Sequence, residues 1–221
     1  MNVSALWPAH GVDPLNHWGV LAGALGCSPS LERPFLICLR NVLPYEIETH
    51  PMRSVAEYDD TGILLFPGGQ HVFKTSSHAY QVNSKLSPDV DGDGRGDVGT
   101  IKPGRYVLRD MKAGKYPTFH LTTPEGSDRI PCARDTNHDG IITHNEESEA
   151  WTATAILLHG GVDDPPDSPH HYSIGCQCVP LIWRREIAAR CAPGGIADYV
   201  LIRAEDAVKI VGAAPELENV T

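Results

Sequence analysis

Apolar residues in this chain come in runs of strand length, and glycine or proline closes most of them. Phe35 to Val42, Ile63 to Phe66, Ala153 to Leu158 and Tyr199 to Ile202 are the clearest. Pro67-Gly68-Gly69 stops the second, and Gly160-Gly161 follows the third after a single histidine. Gln70 to Ser76 and His78 to Asn83 read as further strands. Short strands with frequent turns build sandwiches and barrels, because each strand has to bury a face against another layer. The 21 Gly and 18 Pro supply the turns. The expectation is a mainly β domain, a sandwich or barrel with one or two short helices and long loop insertions. Leu15 to Gly26, after Pro14, and Leu181 to Arg190, after Pro180, are the helical candidates.

At 221 residues the chain suits one core with an appendage. Residues 1–30 read as an N-terminal arm whose glycines leave its helix unstable alone. It is expected to dock on apolar surface, anchored by Trp7 and Trp18. Residues 31–211 make the main domain and 212–221 a loose tail. A net charge of −10 argues against nucleic acid and anionic membrane as partners, and no apolar stretch could span a bilayer. No Lys or Arg precedes Arg33, and no leader-like run opens the chain, so no signal peptide is recognised. The six cysteines fit no disulfide framework, with Cys178 to Cys191 the one conceivable bridge.

The chemistry gathers after the third apolar run. His159 ends that run, and a sheet-fixed backbone can hold its ring in place. A polar loop follows, then Ser173-Ile174-Gly175-Cys176-Gln177-Cys178. A thiol needs a partner that takes its proton or lowers its pKa, and an imidazole does this. A carbonyl at Gly160 or Gly161 could accept the second ring N–H and fix the tautomer. Gly175 permits a φ that would turn backbone N–H groups toward an oxyanion. The start of the 181–190 helix would favour the thiolate if it lay near Cys176.

This arrangement resembles the catalytic domain of the L,D-transpeptidases, the YkuD-like family. There a strand ends in His-Gly, and the chain returns after a loop with Ser-His-Gly-Cys-x-Arg. His159 and Gly160 fall on the first half; Ser173, Gly175 and Cys176 fall on the second. Ile174 stands in place of the family's second histidine, and Cys178 in place of its arginine. Gly99 to Tyr106 and Tyr116 to Leu121 look like the family's preceding strands. The resemblance implies an L,D-transpeptidase-like β-sandwich or barrel acting on peptidoglycan stem peptides. Cys176 would attack the carbonyl before a D-residue, His159 would carry the proton, and Ser173 would orient the site. Amides around Gly175 and Cys176 would hold the oxyanion. The thioester would pass to an amine, giving a cross-link or D-amino-acid exchange, or to water, giving an L,D-carboxypeptidase. The same resemblance implies work in the periplasm or cell wall. Without a leader, that means delivery by a secretion system or phage particle, with an immunity, secretion or virion partner. Two alternatives stay open. One is a non-catalytic, calcium-stabilised wall-binding or structural module whose site has decayed. The other is a zinc site drawn from His159, His170, His171, Cys176 and Cys178.

Two acidic loops complete the pattern. Asp135 to Glu146 meets the whole EF-hand loop pattern, with Asp135, Asn137, Asp139 and Glu146 as side-chain ligands and Ile141 giving a carbonyl. Asp89 to Thr100 offers Asp89, Asp91 and Asp93, with the Arg95 carbonyl, but has Thr100 where the closing glutamate belongs. One Ca²⁺ is expected in the second loop and another could enter the first. The flanks predict loops grafted between strands, with a short helix starting near Glu146.

Overall fold

Strand β1 (Phe35–Arg40) is buried along its whole length. Phe35, Ile37 and Leu39 join one apolar cluster, while Leu36 and Cys38 join another. Strand β11 (Ile196–Arg203) divides the same way, Val200 and Ile202 against Tyr199 and Leu201. Strands covered on both faces read as unbroken apolar runs, which is why these were legible. The computed structural model describes residues 1–9, 11–27, 33–51, 54–55, 57–111, 118–160, 171, 173–191 and 195–213.

Strand β1 pairs in parallel with β11 and antiparallel with β2 (Asp60–Phe66), which turns back as β3 (Gly69–Thr75). Beyond β11 come β5 (Gly104–Met111), β6 (Thr118–Thr122), β9 (Leu157–His159) and β10 (Gln177–Cys178). The order is β10-β9-β6-β5-β11-β1-β2-β3. The two outer strands then meet. Ser76, just past β3, exchanges backbone hydrogen bonds with Cys178 at 2.9 and 2.8 Å. The Thr75 hydroxyl donates to the Cys178 carbonyl at 2.6 Å. The sheet is thus a nearly closed barrel, and closure satisfies its edges. A second sheet has the order β4-β7-β8, from β4 (Gly99–Ile101), β7 (Ile130–Arg134) and β8 (Trp151–Ala153). The mainly β expectation holds.

Among the described residues four short α-helices surround the sheets, more than the one or two expected. Helix α1 (Pro14–Ala24) starts at Asp13, whose side chain accepts the Leu15 N–H, with Pro14 in its first turn. Trp18 is fully buried and donates to Gln70 Oε1 at 2.7 Å. Burial of such a side chain contributes roughly 2–3 kcal/mol, so the N-terminal segment covers the barrel as an integral layer. Helix α4 (Ala204–Ala213) packs beside α1, burying Ala204 and Ala207. It runs across the expected boundary of a loose tail at residue 212. Glu205 and Asp206 in its first turn suit the helix dipole. Helix α2 (His144–Ser148) leaves the second acidic loop, and α3 (Leu181–Arg190) has the bounds read from sequence.

Other expectations are corrected. The 153–158 run is not one strand: Ala155 has φ +56°, and the break sends β8 and β9 into different sheets. Residues 78–83 form no strand beyond a bridge from Asn83 to Asp97. All six cysteines are free, so Cys178 and Cys191 are not bridged. Among the described residues no helix is long and apolar enough to cross a membrane.

Candidate functional site

Parallel pairing of β9 with β10 brings the histidine and the two neighbouring cysteines together, with Cys178 in register with His159. Gly160 is needed beside them. A Cβ there would lie 3.0 Å from the Val179 carbonyl and 3.4 Å from the Leu181 nitrogen. The start of α3 therefore packs on Gly160. His159 Nδ1 lies 3.2 Å from the Gly160 carbonyl, so Nδ1 carries the hydrogen and Nε2 is the acceptor. Burial lowers the pKa of this ring, which keeps it neutral and able to take a proton.

The sulfur that His159 meets is Cys178, at 3.8 Å from Nε2. Among the described residues no hydrogen bond joins His159 to Cys176. Cys178 is buried, and burial pushes its thiol pKa up. Cys176 is the one cysteine that is not fully buried. It lines a cavity of about 380 Å³ with Gly175, Ile156, Cys132 and Arg134. Burial raises its pKa too, opposed by the Leu157 amide and the Ser173 hydroxyl. A larger cavity of about 570 Å³, beside Asn41, His50, Glu147 and Arg203, holds no cysteine. The smaller one is the better candidate because the one partly exposed cysteine lines it.

The turn before Cys176 is tightly built. Gly175 has φ +144°, and a Cβ there would lie 2.5 Å from the Gly99 carbonyl oxygen. The Ser173 hydroxyl donates to the Cys176 carbonyl at 3.0 Å and accepts the Gly175 N–H at 3.2 Å. That N–H is therefore spent inside the turn and is not a free oxyanion donor. Ser173 holds the turn's shape. Gln177 anchors it from below: its Oε1 accepts from Tyr199 at 2.6 Å and its Nε2 donates to the Ser77 carbonyl at 3.5 Å. Ser77 in turn binds Asp60 at 2.6 Å and Arg40 at 2.8 Å, both buried. Such a connected polar network fixes one geometry. Nothing local in the sequence marks it, apart from a charged Arg40 in an apolar strand.

The acidic loops share one hydrogen-bond frame. Asp89 accepts the Gly94 N–H at 2.9 Å, and Asp135 accepts the Gly140 N–H at 3.0 Å. Asp91 accepts from Asp93, and Asp93 from Arg95; Asn137 accepts from Asp139, and Asp139 from Ile141. Each loop is wound by its own side chains. They differ in how far their acids converge. Ligand atoms of Asp89, Asp91 and Asp97 lie within 4.8 Å of one another and could hold a metal. Asp97 was missed by the sequence reading, although it stands two residues past Arg95 in the same alternation. In the second loop Glu146 is engaged by amides: it accepts from Thr136 at 3.1 Å and from Thr143 at 2.8 Å, in a capping box. Each loop nevertheless keeps a buried carboxylate oxygen without a hydrogen-bond partner, Asp97 Oδ1 and Asp135 Oδ1. Such an oxygen is costly unless a cation shares it. Pairing of Gly99 with Arg134 sets the two loops side by side. His138 spans them, its Nε2 lying 3.4 Å from both Asp93 and Asp97.

The chain matches no protein-family model, no curated protein and no solved structure.

The structure thus gathers His159, Gly160, Ser173, Gly175 and Cys176 into one corner, with the Cys178 sulfur 3.8 Å from His159 Nε2 and 3.9 Å from the Cys176 carbonyl. The zinc set is not assembled: His170 lies outside the described residues, and His171 packs instead on Tyr58 and His78. A third acidic group, Asp59, Asp60 and His78, could also hold a metal. Its groups already have protein partners, however. Asp60 accepts from Asn41 and Ser77, and His78 Nε2 is paired with Asp59. Burial works against charge on His78, but Asp59 outweighs it and raises the pKa.

Proposed function

We propose that the chain is a cysteine-dependent acyl-transfer enzyme of L,D-transpeptidase-like type, acting on peptidoglycan stem peptides, with Ca²⁺ in its two acidic loops. One observation carries the reading: Cys176, the one cysteine that is not fully buried, lines a cavity on a tight turn, near a neutral imidazole whose acceptor nitrogen faces the Cys178 sulfur. In the reaction the Cys176 proton passes to His159 Nε2 and the sulfur bonds to the amide carbon. The C–N bond breaks and His159 returns the proton to the leaving amine. An amine or water then attacks the thioester, giving a new amide or an acid and restoring the thiol. In the resting structure Nε2 takes the Cys178 S–H instead, so the productive state exchanges one thiol for the other. Catalytic contacts commonly tighten only when substrate binds. The partnerless Asp135 oxygen, the Asp97 oxygen that meets only His138 Nε2 at 3.4 Å, and the hard-oxygen donor set suit calcium. The metal would hold the loops that flank β4 and β7.

The test is mass spectrometry of muropeptides incubated with the protein. Wild type is expected to release or exchange the terminal D-residue, and Cys176→Ala to leave the mixture unchanged. No change with wild type, or the same change with the variant, refutes the reading. A second reading, a non-catalytic calcium-stabilised wall module, is favoured by the His159 contact with Cys178 and by the raised thiol pKa values. It predicts that Cys176 reacts with alkylating probes no faster than an ordinary thiol.

A further inference from the structure

Arg134, the last residue of β7, lines the Cys176 cavity and is 7% exposed. Its Nη1 donates to the Asp97 carbonyl at 2.9 Å and its Nη2 to the Thr152 carbonyl at 3.4 Å. Its Nε is buried with no hydrogen-bond partner. A guanidinium has five N–H donors; Nε–H makes no hydrogen bond, two others go to the carbonyls, and the Cys132 thiol is a further neighbour of the group. Among the described residues arginine–carboxylate pairs are formed by Arg33, Arg105, Arg190 and Arg203, not by Arg134. The Asp97 carboxylate is engaged elsewhere, by His138 and by the Val90 N–H at 2.7 Å. A buried cation without an anion is costly.

Its position is fixed. A Cβ on Gly99 would lie 3.1 Å from Arg134 Nη1, and a Cβ on Gly175 would lie 2.5 Å from the Gly99 oxygen. The guanidinium, Gly99 and the turn that presents Cys176 are therefore in successive contact. We infer that Arg134 is the specificity-determining residue of this cavity, and that the acyl donor carries a carboxylate close to the carbonyl that Cys176 attacks. The inference rests on the cysteine reading above and adds the residue that would read the terminal carboxylate of the D-residue. The bland alternative is that Arg134 only clamps two carbonyls. The net charge of −10 repels anions in general, so any preference for an anion at Cys176 must be local.

Two alkylating reagents of similar size separate the cases. Iodoacetate carries a carboxylate and iodoacetamide does not; in both, the thiolate displaces iodide. Rates are read at the Cys176 peptide by mass spectrometry, which keeps Cys132 apart. The iodoacetate-to-iodoacetamide ratio in wild type is expected to exceed that of a free small thiol by about tenfold, the worth of one hydrogen bond to a charged group. Arg134→Gln should return the ratio to the small-thiol value, and Arg134→Lys should keep part of it. In wild type, propionate should slow iodoacetamide labelling and propionamide should not. A wild-type ratio no higher than the small thiol's, no protection by propionate, or an unchanged ratio in a folded Arg134→Gln overturns the inference alone. If that variant loses its near-ultraviolet circular dichroism, the two wild-type measurements decide. Failure of both reagents to label wild-type Cys176 overturns the cysteine reading and this inference with it.

Discussion

The acidic loops and the thiol turn are built by different rules. Each loop is wound within about a dozen residues by Asp and Asn side chains accepting their own downstream amides, Asp135 from Gly140 and Asp89 from Gly94. Pattern and coordinates therefore agree there on how the backbone winds, although the acids that converge are Asp89, Asp91 and Asp97. The thiol turn is assembled from distant pieces: β9, β10, the Ser76 edge that closes the barrel, and Gly99 from the second sheet. Side chains two apart on a strand share a face, so Cys176 and Cys178 are equivalent to a motif. Register alone decides which meets the imidazole, and closure between Ser76 and Cys178 sets that register. The difference teaches that a short-range pattern specifies its own geometry, while a long-range pair is known only to within one strand period.

The largest expected effect tests that two-residue offset. Cys176→Ala should cut turnover of stem peptides by at least about 10³-fold, as removal of a nucleophile does. Cys178→Ala should leave it within about tenfold, and His159→Gln should cost about 10²–10⁴-fold as loss of a general base. Steady-state rates on the same peptide give all three. If Cys178→Ala abolishes turnover and Cys176→Ala does not, the nucleophile lies in register with His159 and the cavity cysteine is a bystander.

A smaller effect belongs to the loops. Calorimetric titration should find two Ca²⁺ per chain, with Glu146→Gln removing the site at Asp135 and Asp97→Asn the site at Asp89. At a calcium concentration about 100 times the dissociation constant, each site should add about 2.7 kcal/mol. That is a rise in Tm of about 5–10 °C over chelated protein, for a chain of this length. Binding that survives both substitutions would show that the shared frame winds the loops without needing a cation.

What the sequence made legible follows the same division. The fully buried β1, the Pro14 and Pro180 helix starts and the Asx pattern of the loops are local and lie where the chain predicts, whereas 78–83 and the unbroken 153–158 strand do not. Helix α4 was missed although Glu205 and Asp206 mark its start, because the apolar strand before it ends without glycine or proline. The break at Ala155 has no residue-type signal, since alanine there adopts φ +56° only because the chain must change sheets. Arg134 and Gln177 were invisible for one reason: each acts through a partner brought near by pairing of distant strands; Asp97, at the ninth position of its own loop, carried a local signal that was passed over.

The smallest effect is a pH dependence that should fall on the thiol turn and spare the loops. His171 is 1% exposed, and burial, with His78 adding to it, pushes its pKa down to about 3. Its Nδ1 accepts the Ser173 N–H at 3.4 Å, which supports the turn carrying Cys176. In the unfolded chain the same ring titrates near 6.5. The unfolded state thus binds the proton first, and the stabilising contribution is complete above pH 6.5. It is lost as pH falls toward 3, at about 1.4 kcal/mol per pH unit for one group. His78 has the opposite sign, because its raised pKa contributes below 6.5 and fades as pH rises. Urea midpoints between pH 6.5 and 4.5, above the range where most carboxylates titrate, should fall with acid in wild type. In His171→Asn the decline should be shallower by that amount. Equal slopes in the two proteins would mean that the ring is not held neutral beneath the turn. With the slopes as expected, the protection factor of the Ser173 amide, its exchange rate relative to the free peptide at the same pH, should fall at acid pH while those of Gly94 and Gly140, in the loops, do not.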